Sequence, residues 1–243
     1  MIFEASEFVF KPPPLVSRAR RVLIKPNAGY PMPYPISTSR NTMNLIIESI
    51  KQVSDADIII LEGTSNGESI YPIYQALGYD FPRVLMLDVR DCIWVEVENP
   101  LPHPFAAPTF WVPNVVLSSD YLISVATFKI LGGVGCFSVP NLLSLLPVSK
   151  YRGDDPGGWG TLYELGMDKV LADLYFTLPF DLGIVDARQK FISADDSFQG
   201  KAEEFGKIFA GEPYEVDREA ARASGVEASH LALIEAGKAE LEP

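Results

Sequence analysis

Apolar and polar positions along the chain repeat with two periods. Arg21-Val22-Leu23-Ile24 is a short apolar run with the signature of a buried strand. From residue 41 to 53, Met43, Ile46, Ile47, Ile50 and Val53 recur at the i, i+3, i+4, i+7 spacing of an amphipathic helix. Ser37, Thr38 or Ser39 can cap its start, since a short hydroxyl side chain accepts from the first free amides. Asp57 to Leu61 predicts a second strand that stops at Glu62-Gly63. A helix follows from near Ser69, with Pro72 tolerated in its first turn and Gly78 as its stop, and then a strand from Val84 to Val89. Beyond Arg90-Asp91 the pattern alternates, Ile93, Val95 and Val97 against Trp94, Glu96 and Glu98, which predicts an antiparallel hairpin attached to the sheet.

The second half continues in the same manner. Tyr121 to Thr127 reads as a strand, Leu142 to Leu146 as a short apolar helix, and residues 160–177 as a helix packing through Leu165, Leu171, Leu174 and Tyr175. Leu182 to Val185 predicts a strand ending at Asp186, and the last 30 residues read as helical with breaks at Gly225 and Gly237. Proline is clustered at 12–14, at 31, 33 and 35, and at 100, 102, 104, 108 and 113; these segments are loops or edges, because proline lacks the amide a central strand must donate. Strands alternating with helices define an α/β fold: a mostly parallel, mixed sheet with helices on both faces and an added antiparallel hairpin. No internal repeat is evident. The expected organisation is a single α/β domain over 1–243, with an N-terminal extension at 1–20 and an acidic helical tail at 226–243.

Composition narrows the function classes. With 20 basic against 32 acidic residues, a net charge of −12 argues against nucleic-acid binding, which needs clustered positive charge. The excess is uneven: residues 195–243 hold 12 acids and 5 bases, residues 1–25 hold 2 acids and 5 bases. Met1-Ile2-Phe3-Glu4 carries no basic, then apolar, leader pattern, and the longest aliphatic run, Ile58 to Leu61, is far short of a bilayer span. A cytoplasmic protein with no membrane partner is the expectation. Cys92 and Cys136 are isolated, and His103 and His230 have no ligand-spaced companion, so no zinc or iron–sulfur motif and no Ser-His-Asp triad is indicated.

Candidate chemistry lies where strands end, the place at which open α/β sheets bind ligands. The first strand runs into Lys25-Pro26-Asn27, and Ser37-Thr38-Ser39-Arg40 precedes the first helix. The second strand ends in Glu62-Gly63-Thr64-Ser65, and the strand from Tyr121 leads to Lys129 and Gly132-Gly133-Val134-Gly135. Asp186 closes the strand from Leu182, and Asp217 precedes the last helices. Each has a plain structural reading as a surface charge, a helix cap, a turn or an ion pair. Together, three cations (Lys25, Arg40, Lys129) and three carboxylates (Glu62, Asp186, Asp217) mark a place for acid–base work on a small anion, whose negative charge a helix N-terminus also favours. The glycine-rich segment matches neither phosphate-loop nor dinucleotide spacing and reads as a turn.

These residues resemble the prokaryotic domain-of-unknown-function family numbered 362. Val22-Leu23-Ile24-Lys25-Pro26-Asn27 is similar to its opening strand, and Ile60-Leu61-Glu62-Gly63 to its second. Asp120-Tyr121-Leu122-Ile123-Ser124-Val125 through Lys129 is similar to its Asp-strand-Lys segment, and Gly211 to Arg222, followed by Gly225, to its C-terminal block. The likeness covers about residues 20–235. It implies the fold and the location of a site; the family has no settled common activity. Lys129 is followed by Ile130-Leu131 and Asn141 is preceded by Pro140, where many members have Lys-Thr-His and Lys-Asn, so chemistry that relies on that His and second Lys is not implied. The ferredoxin-like cysteine cluster often appended in the family is absent from this sequence, and no iron–sulfur cluster is expected.

Two functions follow. In the first, an enzyme uses Lys129, Lys25, Glu62 and Asp186 for chemistry, while Asn27, Ser37, Thr38, Arg40, Ser65, Asn141 and Asp217 hold a carboxylate or phosphate. In the second, a non-catalytic binding or accessory protein keeps the scaffold with a degenerate site, filled by side chains such as Phe128, Phe137 or Trp159. The segment from Tyr151 to Gly160 is a candidate lid or interface loop, or a plain connector. Metal requirement and cofactor are undetermined at this level, and a homo-oligomer is left open.

Overall fold

The computed structural model describes residues 1–154, 158–195 and 199–241. In chain order the strands are β1 (Ile2–Glu4), β2 (Arg21–Pro26), β3 (Asp57–Glu62), β4 (Val84–Asp88), β5 (Trp94–Glu98), β6 (Thr109–Pro113), β7 (Tyr121–Leu131), β8 (Val134–Cys136), β9 (Leu182–Ser193) and β10 (Gly200–Gly211). The helices are α1 (Arg40–Lys51), α2 (Tyr71–Ala76), α3 (Asn114–Leu117), α4 (Val148–Tyr151), α5 (Gly160–Leu165), α6 (Met167–Thr177), α7 (Pro213–Ser224) and α8 (His230–Leu241).

The main sheet runs β1-β10-β9-β7-β2-β3-β4, with β8 folded back on β7. Its centre, β9-β7-β2-β3-β4, is parallel; β10, β1 and β8 join antiparallel. The chain builds outward from β2 through α1, β3 and α2 to β4, and then returns to place β7 on the other flank of β2. The direction of winding therefore reverses between β2 and β7, and in open α/β sheets ligands sit beyond the carboxyl ends of strands at such a reversal.

Alternation along β2 decides what each residue faces. Val22 and Ile24 enter one apolar cluster with Met43, Ile46, Ile47 and Ile50 of α1. Leu23 enters the opposite one, with Leu142, Leu145, α6 and the β5–β6 pair. Fully burying each of those four α1 side chains is worth about 1.5–3 kcal/mol. Ser39 caps α1, its Oγ accepting from the Thr42 amide at 3.1 Å. A third cluster of Phe128, Phe137, Val185 and Phe209 lies under Val216 and Ala220 of α7.

Several elements depart from the sequence expectation. The hairpin is formed, but β5 and β6 make a separate two-stranded sheet and are not joined to the main one. A 3-10 turn at Val89–Asp91 turns the chain away from β4 before β5 begins. β7 runs to Leu131, so Lys129 lies within a strand; Gly132 and Gly133, at φ 56° and 83°, make the two-residue turn to β8. β9 passes beyond Asp186 to Ser193 because the β7–β9 ladder resumes after a register shift at Thr127/Phe128. β10 was hidden by a bulge between Glu204 and Lys207, which breaks the alternation a strand normally shows.

The short helix after β8 is a 3-10 turn, Pro140–Leu145, and residues 160–177 divide into α5 and α6 at Gly166, whose φ is 90°. Gly225 ends α7 in the left-handed conformation. Gly237, expected as a break, lies inside α8; a Cβ there would meet the Phe176 ring at 2.7 Å, so its role is close helix approach. Of the segment 151–160, residues 155–157 lie outside the described residues.

Candidate functional site

Four short stretches converge beyond β2, β3 and β7. Lys25, the fifth residue of β2, points to the side of Leu23 and is fully buried. Its Nζ donates to Glu62 Oε2 at 2.8 Å, to Asn141 Oδ1 at 3.1 Å and to the Pro26 carbonyl at 2.8 Å, and lies 2.8 Å from Glu62 Oε1. Burial pulls the Lys25 ammonium below the usual lysine range, and the Glu62 carboxylate opposes that shift. Glu62, at the end of β3, also accepts from the amides of Ala28 at 2.8 Å and Gly63 at 2.9 Å and from Ser144 Oγ at 2.5 Å. With Lys25 and these three donors around it, the carboxylate has no lone pair turned to an incoming molecule. The pair is a fixed, internally neutral unit.

Asn141 and Ser144 share the 3-10 turn, where three residues per turn put i and i+3 on one side. Asn141 Nδ2 donates to the Lys25 carbonyl at 3.2 Å and to Ser124 Oγ at 3.1 Å. The turn itself is held from α7: Asp217 accepts from the Ser138 amide at 2.7 Å and the Val139 amide at 2.9 Å, with His230 Nε2 at 3.3 Å. Burial pushes the Asp217 carboxyl up, against the lowering influence of His230 and the two amides. Gly63 lets β3 approach this turn, for a Cβ there would lie 2.7 Å from the Ser144 carbonyl.

Lys129 reaches the same place from β7. Its Nζ donates to Asn27 Oδ1 at 3.0 Å and to the Ile36 carbonyl at 3.3 Å, and no carboxylate lies within ion-pair distance among the described residues. Burial first, and the Lys25 charge after it, push the Lys129 amine down to about 8, while Cys136 and Glu62 act in the opposite sense. Cys136 is the residue paired with Lys129 across the β7–β8 ladder, and burial pushes its thiol up. Thr38 fixes the Asn27 loop: its Oγ1 accepts from the Asn27 amide at 2.9 Å and donates to the Val125 carbonyl at 2.7 Å. Ser37 Oγ donates to the Tyr30 carbonyl at 3.0 Å, and the Tyr30 and Ser65 hydroxyls meet at 2.8 Å.

Asn27, Tyr30, Glu62, Ser65, Lys129, Asn141 and Ser144 line one cavity of about 140 Å³, with Trp159 on its wall. A larger depression of about 500 Å³ lies elsewhere, walled by Phe3, Phe8, Phe10 and Leu182, and holds none of these groups. Of the side chains that a filled site would use, Phe128 and Phe137 pack on each other, ring centres 4.6 Å apart, away from the cavity; only Trp159 borders it.

Of the residues singled out from the sequence, Lys25, Ser37, Thr38 and Asp217 support the cavity without lining it, and Arg40 and Asp186 lie apart. Arg40 points along α1 to the carbonyls of Gly78 at 2.7 Å and Asp80 at 3.2 Å and does not line the cavity. Asp186 is buried beneath the start of α1, accepting from Thr42 Oγ1 at 2.6 Å, Tyr34 at 3.1 Å and Arg188 Nε at 2.9 Å. Arg188 also donates to Ser39 and Thr42. Sequence reasoning missed Ser144, Ser124, Tyr30 and Arg188. For Ser144 a signal existed: Asn141 and Ser144 are the two polar residues of an otherwise apolar stretch, three apart. Among the described residues no cluster of three His, Cys, Asp or Glu is arranged to hold a metal ion, and no helix is long and apolar enough to cross a membrane.

A mostly parallel α/β sheet with a polar cavity at its winding reversal defines the class of protein. The sequence matches the family described as "Domain of unknown function (DUF362)" over residues 22–222, and the chain belongs to that family. No curated protein matches the sequence significantly. Among solved structures, the fold is similar to the lactate racemase apoprotein from Thermoanaerobacterium thermosaccharolyticum, at TM-score 0.55 and 14% identity, covering 90% of this chain and 53% of that one. The chain thus spans about half the length of that structure, and at this identity the likeness concerns the fold.

Proposed function

We propose that the cavity binds a small carboxylate or phosphate and that Lys129 is its acid–base group. The observation that carries this reading is the charge balance: Lys25 and Glu62 neutralise each other, which leaves the Lys129 ammonium as the unbalanced charge in the cavity. An amine near 8 is protonated at neutral pH, so it attracts an anion, and it is close enough to neutrality to give up or take a proton in a reaction. Asn27 and Ser65 on the cavity wall supply neutral polar groups for orientation, while the donors of Asn141 and Ser144 are turned to Lys25, Ser124 and Glu62. Lys25, Glu62 and Asp217 act here as positioning residues, while Asp186 and Arg40 both organise the surroundings of the N-terminal end of α1. Thermal-shift measurements with inorganic phosphate and with acetate test the proposal. Stabilisation by at least one of them, lost in Lys129→Met, is expected; no shift with either anion rejects it.

The alternative, a binding or accessory protein without catalysis, draws support from the saturation of Glu62 by donors, which removes the obvious carboxylate base. Anion binding with no proton exchange at a bound substrate carbon, followed by NMR in deuterated buffer, would favour it.

A further inference from the structure

The two lysines of the site are held in opposite ways. Lys25 is surrounded by acceptors, both Glu62 oxygens among them, and is sealed from solvent. Lys129 is half-buried, borders the cavity, and is held only by neutral oxygens, the Asn27 amide and the Ile36 carbonyl. Neutral acceptors orient an amine without holding its proton as a carboxylate would, so its lone pair can be freed at little electrostatic cost. A lysine in that state, bordering a pocket that a small molecule can enter, is the arrangement in which the amine serves as a nucleophile toward carbonyl carbon.

The space beside Lys129 is about 140 Å³ and opens to solvent, so a small oxo acid can reach the amine without being enclosed. Resting on the anion-site reading above, we infer that Lys129 forms a reversible imine with a small 2-oxo carboxylate. The carboxylate is drawn in by the ammonium. After that ammonium gives a proton to solvent, the Nζ lone pair forms the N–C bond and the carbonyl π pair moves to oxygen. That oxygen takes up the proton released from nitrogen, giving a carbinolamine. The C–O bond then breaks as the nitrogen lone pair forms C=N, and the departing hydroxide leaves as water with the proton returned from solvent. In sum, ammonium and carbonyl become iminium and water, with no change of oxidation state.

Reductive trapping tests the inference on the intact chain. Glyoxylate or pyruvate is added with sodium cyanoborohydride at pH 8, where hydride delivered to the iminium carbon leaves a stable secondary amine. The expected product carries one adduct with the mass of the probe less one oxygen atom, mapped to the peptide containing Lys129. Its formation should exceed that at the exposed Lys169 and Lys201 by on the order of tenfold or more, since an amine near 8 is neutral far more often at this pH than an ordinary lysine near ~10.4. Lys129→Arg, checked for folding by circular dichroism, should lose the adduct. Labelling of Lys129 no faster than Lys169, or labelling of Lys25 instead, overturns the inference. Stabilisation by phosphate or acetate, measured on the same preparation, separates the two ideas: a protein that either anion stabilises but pyruvate does not label retains the anion site and loses the imine, and one that neither anion stabilises and pyruvate does not label loses both.

Discussion

Lys25 and Glu62 show how a polar pair survives inside a hydrophobic sheet. Each ion would cost several kcal/mol to bury alone, and the arrangement persists because the carboxylate is surrounded by donors and the ammonium by acceptors. Removing one member leaves the other charged and uncompensated. Lys25→Met is therefore expected to destabilise the protein by about 3–5 kcal/mol in urea titration, and a change below about 1 kcal/mol would mean that the pair is not sealed from water. Asp217 is of the same kind at one remove. Asp217→Ala leaves the Ser138 and Val139 amides without their acceptor, at a cost of about 1–3 kcal/mol for each group that stays dry, and should loosen the turn carrying Asn141 and Ser144. Faster amide hydrogen exchange confined to residues 138–145 is the measurement that checks it.

At the scale of elements, the site depends on close backbone approach. β3 meets the 3-10 turn at Gly63, where a methyl group would press on the Ser144 carbonyl at 2.7 Å and on Val89 Cβ at 3.1 Å. Gly63→Ala should cost about 1–3 kcal/mol through overpacking and weaken phosphate stabilisation with it, whereas unchanged stability would show that the turn yields freely. The proline loop before β6 is tied down in another way. Asp173 of α6 accepts from the amides of Phe105, Ala106 and Ala107 at 3.0, 2.7 and 3.0 Å, so a buried carboxylate does for this loop what a ladder does for a strand. That contact helps explain why β5 and β6 stand as their own sheet against the helical layer.

For the whole molecule, Lys129 couples the site to global stability. Its amine is near 8 when folded and near the ordinary 10.5 when unfolded, so between those values the unfolded chain binds more protons and stability from this group rises with pH. Below about pH 8 both states are protonated and the burial penalty is complete; above 10.5 it is gone. Lys129→Met removes the penalty along with two hydrogen bonds whose contribution does not vary with pH. The stability of Lys129→Met relative to wild type is thus expected to be highest near pH 7 and to fall steadily toward pH 10. A difference that is flat across that range would show that Lys129 titrates as a solvated lysine. The net charge of −12 does not oppose an anion at this site, because the acids are concentrated in residues 195–243 while the cavity lies beyond β2, β3 and β7.

Periodicity alone determined most of the elements that build the parallel centre: the runs at 21–24 and 57–61 and the spacing of Met43, Ile46, Ile47 and Ile50 are local patterns with one good solution, burial of a face. The family membership, too, was legible in Lys25-Pro26-Asn27, Glu62-Gly63 and their order. Tertiary structure decided the rest. Strand length at β7 and β9 follows from partners that lie far away in sequence, and the bulges that permit it leave no period to read. The six charged candidates lie near the ends of separate elements in the sequence, and nothing local says which of them meet. Packing alone separated them, placing Lys25 and Glu62 in mutual neutrality, Asp217 behind a turn, Asp186 under α1 and Arg40 on Gly78 and Asp80. It left Lys129 beside a cavity with neutral partners only, because which charges meet depends on the order of strands in the sheet and not on their order in the chain.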